Sequence, residues 1–266
     1  MKSSHKITTA VSVRLGVGFL VVGIAALALS IITTSQVLAF IGLGLTFWGA
    51  LFLLITPVRY VEGSLMVSTM TPSYSDTDRI LIDLKYKGKA YHIPPYPEEV
   101  YIPEHLKSLK KMVVFISKDQ ESKTTPSIEQ MAEGRFLVDS PKGMLLTPPG
   151  LGLLNQIEKK SKADFTKTAL VDLCEIMPKY ILDNYSLAKE IDMTLRENEI
   201  DITIVDSIYK NLYMQDKANK SILLLGCPII SSIACAVAKA SGKPVTIQKI
   251  RFSEEGLNIA TTYQIM

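Results

Sequence analysis

Cys227 is the residue of this chain whose neighbours suit it best to chemistry. It stands between a short apolar run, 221–226, and Pro228, which opens a helix-like stretch of small residues over 229–240. Proline suits a first helical position, because the N–H it lacks would have no intrahelical partner there. A cysteine just ahead of it meets the positive end of the helix dipole and free N–H groups, both of which favour a thiolate. If 221–226 is a buried strand, the result is strand, turn and helix, the geometry that presents nucleophiles in some hydrolases. Ser231 and Ser232 follow within one turn, placed to cap the turn, to pack, or to join Cys227 against a ligand. No histidine is near in sequence and the flanks are apolar. Structural, ligand-contacting and nucleophilic roles for Cys227 stay open, and no residue is assigned a catalytic role.

Two further groupings could recognise something. Pro148-Pro149-Gly150-Leu151-Gly152 leads into a helical pattern over 153–160. Gly150 and Gly152 there could hold an anion on free backbone N–H groups, or serve only as a tight turn. Neither GxxxxGK[ST] nor GxGxxG is present, so no nucleotide site follows. Tyr91, His92, Tyr96 and Tyr101 are interleaved with Pro94, Pro95 and Pro97. Aromatics and prolines on a loop make either a recognition surface or a lining packed on a sheet. Cys174, Cys227 and Cys235 form no CxxC pair, and Cys174 and Cys235 fit apolar helical patterns. His92 and His105 have no His or Cys partner at ligand spacing, so neither a metal nor a cofactor is expected.

Residues 15–58 contain no Asp, Glu, Lys, Arg or His. A helix needs ~20 apolar residues to cross a bilayer, and this run supplies about twice that. Thr33-Thr34-Ser35-Gln36 divides it into spans at about 15–32 and 37–56, with Pro57 as a stop. Gly16, Gly18, Gly23, Gly42, Gly44 and Gly49 allow the two helices to approach closely. Lys2, Lys6 and Arg14 precede the first span and Arg59 follows the second, while the turn has no cation. The excess of cations on one side predicts a multi-pass plasma-membrane protein with both termini cytoplasmic. A cleaved signal peptide ending at Val37-Leu38-Ala39 is the rival, but its apolar run is too long.

Residues 60–266 hold all 26 acidic residues and 25 of the 29 basic ones, a formal charge of about −1. The basic pI thus comes from the membrane flanks, and no nucleic-acid partner is expected. Lys107, Lys110 and Lys111, and Lys159, Lys160 and Lys162, either touch anionic headgroups or form solvated faces. The expected class is α+β: a transmembrane hairpin (1–59), then a β-rich part (60–147) and an α+β part (148–266), with mainly antiparallel pairing. Strands are expected over 60–70, 79–86, 90–93 and 112–117, the second and third forming a hairpin through Lys87-Gly88-Lys89. Short helices are expected over 103–111 and 126–132, with Thr125 as a cap. Hairpins are expected around 140–143, 198–199 and 253–256, and a helix over 164–184 kinked or split at Pro178.

The order Gly226-Cys227-Pro228, a small-residue helix with Cys235 and Ala236, Gly242-Lys243-Pro244-Val245 and a terminal hairpin resembles the end of vinyl-reductase-type small-molecule-binding domains, related to transport-particle adaptor subunits. The resemblance covers 200–266 and implies an apolar pocket or a dimeric adaptor. The cysteines that family carries on its last hairpin are absent, so no metal is carried over. The whole chain is also similar to archaeal two-span membrane proteins with a cytoplasmic domain. The expected function is a membrane-anchored, non-catalytic binding or scaffold module. Its partners would be the lipid bilayer and a small apolar ligand, a protein or a second copy. The alternatives are a thiol-dependent enzyme using Cys227 or an accessory subunit of a membrane complex.

Overall fold

The computed structural model of the chain describes residues 4–54, 62–97, 100–119, 125–214 and 220–266. The chain divides into two compact units, Met1–Val61 and Glu62–Met266. Helices α1 (Ser4–Thr33) and α2 (Gln36–Leu54) make the first. Their stretches Leu15–Thr33 and Gln36–Leu54 are each 19 residues, with mean hydropathies of 2.6 and 2.3, long and apolar enough to cross a membrane. Gly16, Gly23 and Ser30 of α1 and Gly42 and Gly49 of α2 are buried, seven apart within each helix. That spacing keeps a seam on one side of a helix. A Cβ on Gly23 would stand 2.7 Å from Thr46 N, and one on Gly49 2.7 Å from Leu20 N. Small residues are therefore what bring the helices together. Gly18 and Gly44 do not share the seam, for a Cβ on either meets nothing within 4 Å. Val21, Val22, Ile24, Phe40, Phe47 and Trp48 are exposed around it, a surface suited to hydrocarbon. Pro57 lies outside the described residues.

The second unit is built on one sheet of nine strands: β1 (Ala90–Ile93), β2 (Val113–Ser117), β3 (Leu137–Asp139), β4 (Lys142–Leu146), β5 (Glu190–Arg196), β6 (Glu199–Val205), β7 (Val245–Ile247), β8 (Arg251–Phe252) and β9 (Asn258–Ile265). Their order is β3-β4-β2-β1-β7-β9-β6-β5, with β8 against β9. Every pairing is antiparallel. The class is α+β, as the sequence predicts. Strands from 60–147 and from 148–266 meet at the β1–β7 pair, so both parts contribute to the same sheet.

Helices α3 (Gly63–Asp83), α4 (Ile128–Glu133), α5 (Leu151–Ser161), α6 (Leu170–Lys179), α7 (Lys220–Leu225) and α8 (Pro228–Ser241) complete the unit. Helix α8 lies at the centre, and Pro228 to Ala238 are all buried. Its small side chains let it sit close to neighbours that include Leu154, Ile157, Leu173, Met177, Ile202 and Tyr263. Lys220–Ser241 is also apolar and long enough to cross a membrane, but 89% of it is buried inside this unit, so it serves as core. On β6 the buried residues Ile200, Ile202 and Ile204 alternate with more open ones, the period of a sheet with one covered face. β1 is instead buried at all four positions, because layers cover both of its faces.

Several local expectations give way. Residues 63–83 form helix α3 rather than the strands expected over 60–70 and 79–86. Ile80, Ile82 and Leu84 alternate, but the positions that bury are Val67, Tyr74 and Leu81, seven apart on one helix face. Ile82 is 65% exposed. Pro72 sits inside α3, and the Thr71 hydroxyl donates to Val67 O in the same turn. Without a strand at 79–86, β1 pairs with β2 and β7. The apolar run 221–226 is helix α7 and its glycine stop, because a short buried run satisfies either period. Finally, the segment 164–184 is not one helix: a 3-10 turn at Phe165–Lys167 precedes α6, which is not split at Pro178 but changes to a π-helical turn at Tyr180–Asn184 just after it. The 103–111 helix is a 3-10 helix, Glu104–Lys110, and Ser127 rather than Thr125 caps α4.

Candidate functional site

The junction of α7 and α8 is built by three residues with separate duties. Gly226, at φ +74°, takes the left-handed conformation that ends α7. Cys227 is the residue before α8, and Pro228 is its first. Tyrosines from three elements fasten this corner. The Tyr74 hydroxyl donates to Gly226 O at 2.9 Å, and Cys227 N–H donates to Tyr213 Oη at 2.9 Å. The Tyr263 hydroxyl donates to Ile230 O at 2.7 Å. So the turn joins two helices and does not follow a strand.

Cys227 itself is fully buried. Burial pushes its thiol pKa up, although the Ile230 and Ile229 backbone and the Tyr213 hydroxyl pull the other way. The helix start does act on the thiol as the sequence suggests, but desolvation outweighs it. A neutral, enclosed thiol is not a nucleophile. In the folded protein a maleimide is expected to modify Cys174, which is half-buried, and to leave Cys227 and Cys235 untouched until denaturation. Peptide mass mapping before and after denaturation reads this directly, and rapid labelling of Cys227 would contradict the burial.

The structure does gather most of the expected residues. Ser232 Oγ donates to Ile229 O at 2.8 Å, and Ser231 Oγ lies 3.4 Å from His92 Nε2. Gly150 packs against the same turn of α8, with an added Cβ only 2.0 Å from Ser232 N. Cys227, Ser231, Ser232, His92 and Gly150 thus form one buried seam between β1, the β4–α5 connection and α8, with Ser231, Ser232 and His92 wholly enclosed. Gly152 is apart from it, exposed on α5. His92 and Tyr91 are not surface residues, at 0% and 2% exposure, because β1 is a central strand. Tyr91 turns to the other face of β1, where its ring stacks on Phe115 at 6.4 Å. Burial lowers the His92 pKa to about 4, with the Val245 backbone opposing the shift. Its Nδ1 is left without a well-formed hydrogen bond.

Tyr96 and Tyr101 remain outside. Tyr101 is 89% exposed, while Tyr96 is half-buried and forms part of a cleft. That cleft has a volume of about 750 Å³. Pro95, Tyr96 and Pro97 form one wall, Met112 and Val113 another, and Leu151 and Asn155 of α5 a third. Lys239 Nζ on its lining donates to both carboxylate oxygens of Glu158, at 2.6 and 2.9 Å. These side chains are 16% and 18% exposed, so the pair is partly desolvated and fixed. Asp164 accepts from Thr166 N–H at 3.0 Å, which together with the Thr166 hydroxyl lowers its pKa. Of this lining, the proline–tyrosine loop, Lys110, Lys111 and Leu151 stand out in the sequence, but not as one site. Glu158 and Lys239 are 81 residues apart, and no spacing rule connects them. A smaller hollow of about 360 Å³ lies along β6 and β9, where Thr262 donates to Asp201 at 2.6 Å. Among the described residues, no three His, Cys, Asp or Glu side chains are placed to hold a metal.

No curated protein and no solved structure matches this chain. Neither the expected likeness of 200–266 to vinyl-reductase-type domains nor that of the whole chain to archaeal two-span membrane proteins is therefore shown. One family model does match, over residues 3–264, hairpin and sheet unit together, and the chain belongs to that family, the domain of unknown function DUF7982.

Proposed function

We propose that this protein is a membrane-anchored, non-catalytic module that binds a small amphipathic molecule in the Tyr96 cleft. The observation that carries the reading is the cleft itself, at about 750 Å³. Sites for small molecules fall at roughly 300–1,000 Å³ and combine apolar walls with a few placed polar groups. Pro95, Tyr96, Met112 and Leu151 supply apolar wall for the ligand's body. Lys110, Lys111, Lys167 and Lys239 face it against the carboxylates Glu158 and Asp164, four cations to two anions. That balance favours a ligand with an anionic end. The two apolar helices supply the anchor. Lys2, Lys6, Arg14 and Arg59 at their flanks support a cytoplasmic location for both termini and for the sheet unit.

Native mass spectrometry of the full chain, gently extracted from its own membrane, tests this. The expected result is a reproducible small-molecule adduct, reduced at least about tenfold in Tyr96→Ala at unchanged melting temperature. A bare wild-type protein, or an adduct indifferent to Tyr96, would overturn the reading.

A further inference from the structure

The sheet ends in two outer strands, β3 with three residues and β5 with seven. Only the β6 side of β5 is bonded. Ile265 N–H donates to Asn198 O, which fixes the phase of the neighbouring ladder. The even-numbered residues of β6 therefore bond β9, and Glu199, Asp201, Thr203 and Val205 bond Arg196, Thr194, Asp192 and Glu190 of β5. That leaves the N–H and C=O groups of Ile191, Met193 and Leu195 pointing off the sheet. Among the described residues, no hydrogen bond reaches them. A long outer strand with free groups is a template for another strand.

The geometry points to a second copy of this chain as the occupant, with β5 pairing antiparallel to its own counterpart about a two-fold axis at Met193. Glu190-Ile191-Asp192-Met193-Thr194-Leu195-Arg196 is complementary to its own reverse. Met193 faces Met193 of the second copy, Ile191 faces Leu195, Asp192 faces Thr194, and Glu190 faces Arg196. In this register the three residues with free backbone groups all occupy hydrogen-bonded positions. Opposite charges across strands attract, whereas like charges directly opposed are destabilising. A slip that centres the axis on Asp192 sets two aspartates against each other. A slip to Thr194 gives Arg196 to Asp192 instead and leaves Glu190 facing the uncharged Asn198 of the turn, so fewer residues of the strand are paired, and a parallel arrangement stacks like on like. Arg196 reaches Asp201 at 3.0 Å yet is 70% exposed, so it is available to the second copy. The interface is the same patch on both subunits, as two-fold symmetry requires.

The test uses the full chain in lipid nanodiscs and in mild detergent. Native mass spectrometry is expected to give a dimer for the wild type, a monomer for Glu190→Arg, and a dimer again for the double variant Glu190→Arg, Arg196→Glu. Thermal melting confirms that each variant is folded. Met193→Cys in a Cys174→Ser background is expected to form a disulfide-linked dimer under mild oxidation, because only this axis brings position 193 against itself. Glu190→Cys in the same background is expected to stay unlinked. A monomeric wild type at tens of micromolar, or a dimer that survives Glu190→Arg with no linkage at Met193→Cys, would overturn the assignment.

Discussion

Replacing Gly150 by alanine is expected to destabilise the sheet unit by about 3 kcal/mol, at the upper end of what overpacking a well-filled core costs. Gly150 has φ −86° and ψ −2°, which alanine adopts freely, so backbone conformation is not the obstacle. The obstacle is space. A Cβ would lie 2.0 Å from Ser232 N and 2.6 Å from Pro228 O, both backbone atoms of the first turn of α8. That turn cannot yield easily. Ser231 N–H donates to Cys227 O at 2.8 Å, Cys227 N–H to Tyr213, and Tyr263 to Ile230 O. Relief of the clash would break at least one of these, and buried groups left unpaired cost about 1–3 kcal/mol each. Gly152→Ala is the matched control. It stands two residues on, exposed, with nothing within 4 Å of an added Cβ. Trading glycine for alanine in a helix there is expected to stabilise by roughly 0.5 kcal/mol. Thermal unfolding of the full chain in detergent, followed by the near-ultraviolet signal of its tyrosines, separates the two. A Gly150→Ala protein that melts with the wild type would show that α5 and α8 are not this close.

The pair also shows what a sequence reading sees. Gly150 and Gly152 look alike in the chain, and both read as turn residues or as an anion cradle. The difference between them comes from α8, eighty residues away, which presses on one and not the other. The anchor was legible because its signal is local: 44 consecutive residues without a charge, and glycines whose seven-residue spacing shows four of them in the seam. Hairpins with strong alternation, such as Ile191, Met193 and Leu195 against Ile200, Ile202 and Ile204, were legible for the same reason. Misreadings fall where a short apolar run fits two periods. Ser221-Ile222-Leu223-Leu224-Leu225 is as good a strand as a helix until Tyr74 and Asp78 of α3 are placed against it. Ser221 N–H donates to Asp78, and the Ser221 hydroxyl to Tyr74 O.

Among the roles that sequence leaves open for Cys227, the nucleophilic one is disfavoured by magnitude rather than by pattern. The helix terminus and hydrogen-bond donors that depress a thiol's pKa are present, but the protein interior costs a thiolate more than they return. Burial of that kind depends on every element that closes over the site, so no local window reports it. The cleft is the opposite case. Its loop was noticed as a run of prolines and tyrosines, while its polar floor needed α5 and α8 to bring Glu158 to Lys239.

Acid is expected to destabilise the sheet unit in a window set by His92. The ring is wholly buried, and its pKa in the fold is about 4 against 6.5 for the free side chain. As pH falls through 6.5 the unfolded chain takes up a proton at this site, and the fold does not until about pH 4. The unfolded state is therefore favoured progressively across that interval, and the stability that neutral His92 permits at pH 7 is lost towards pH 4. At 1.36 kcal/mol per pH unit, the loss between pH 7 and pH 4.5 is about 2 kcal/mol. For a unit of this size that corresponds to roughly 4–8 °C in melting temperature. Asp164, Asp206 and Glu129 have pKa values held below their ordinary ones, so their losses set in only as pH nears the ordinary carboxylate range and overlap just the lower end of the window. His92→Gln removes the titration while keeping a polar group near Ser231 Oγ, which lies 3.4 Å from the ring. Its melting temperature is expected to start lower at pH 7, since glutamine fills the site less well, and to change little down to pH 4.5. A wild-type protein as stable at pH 4.5 as at pH 7, or a His92→Gln protein with an undiminished acid slope, would mean that the imidazole is reached by water or partnered by a group that accepts its proton.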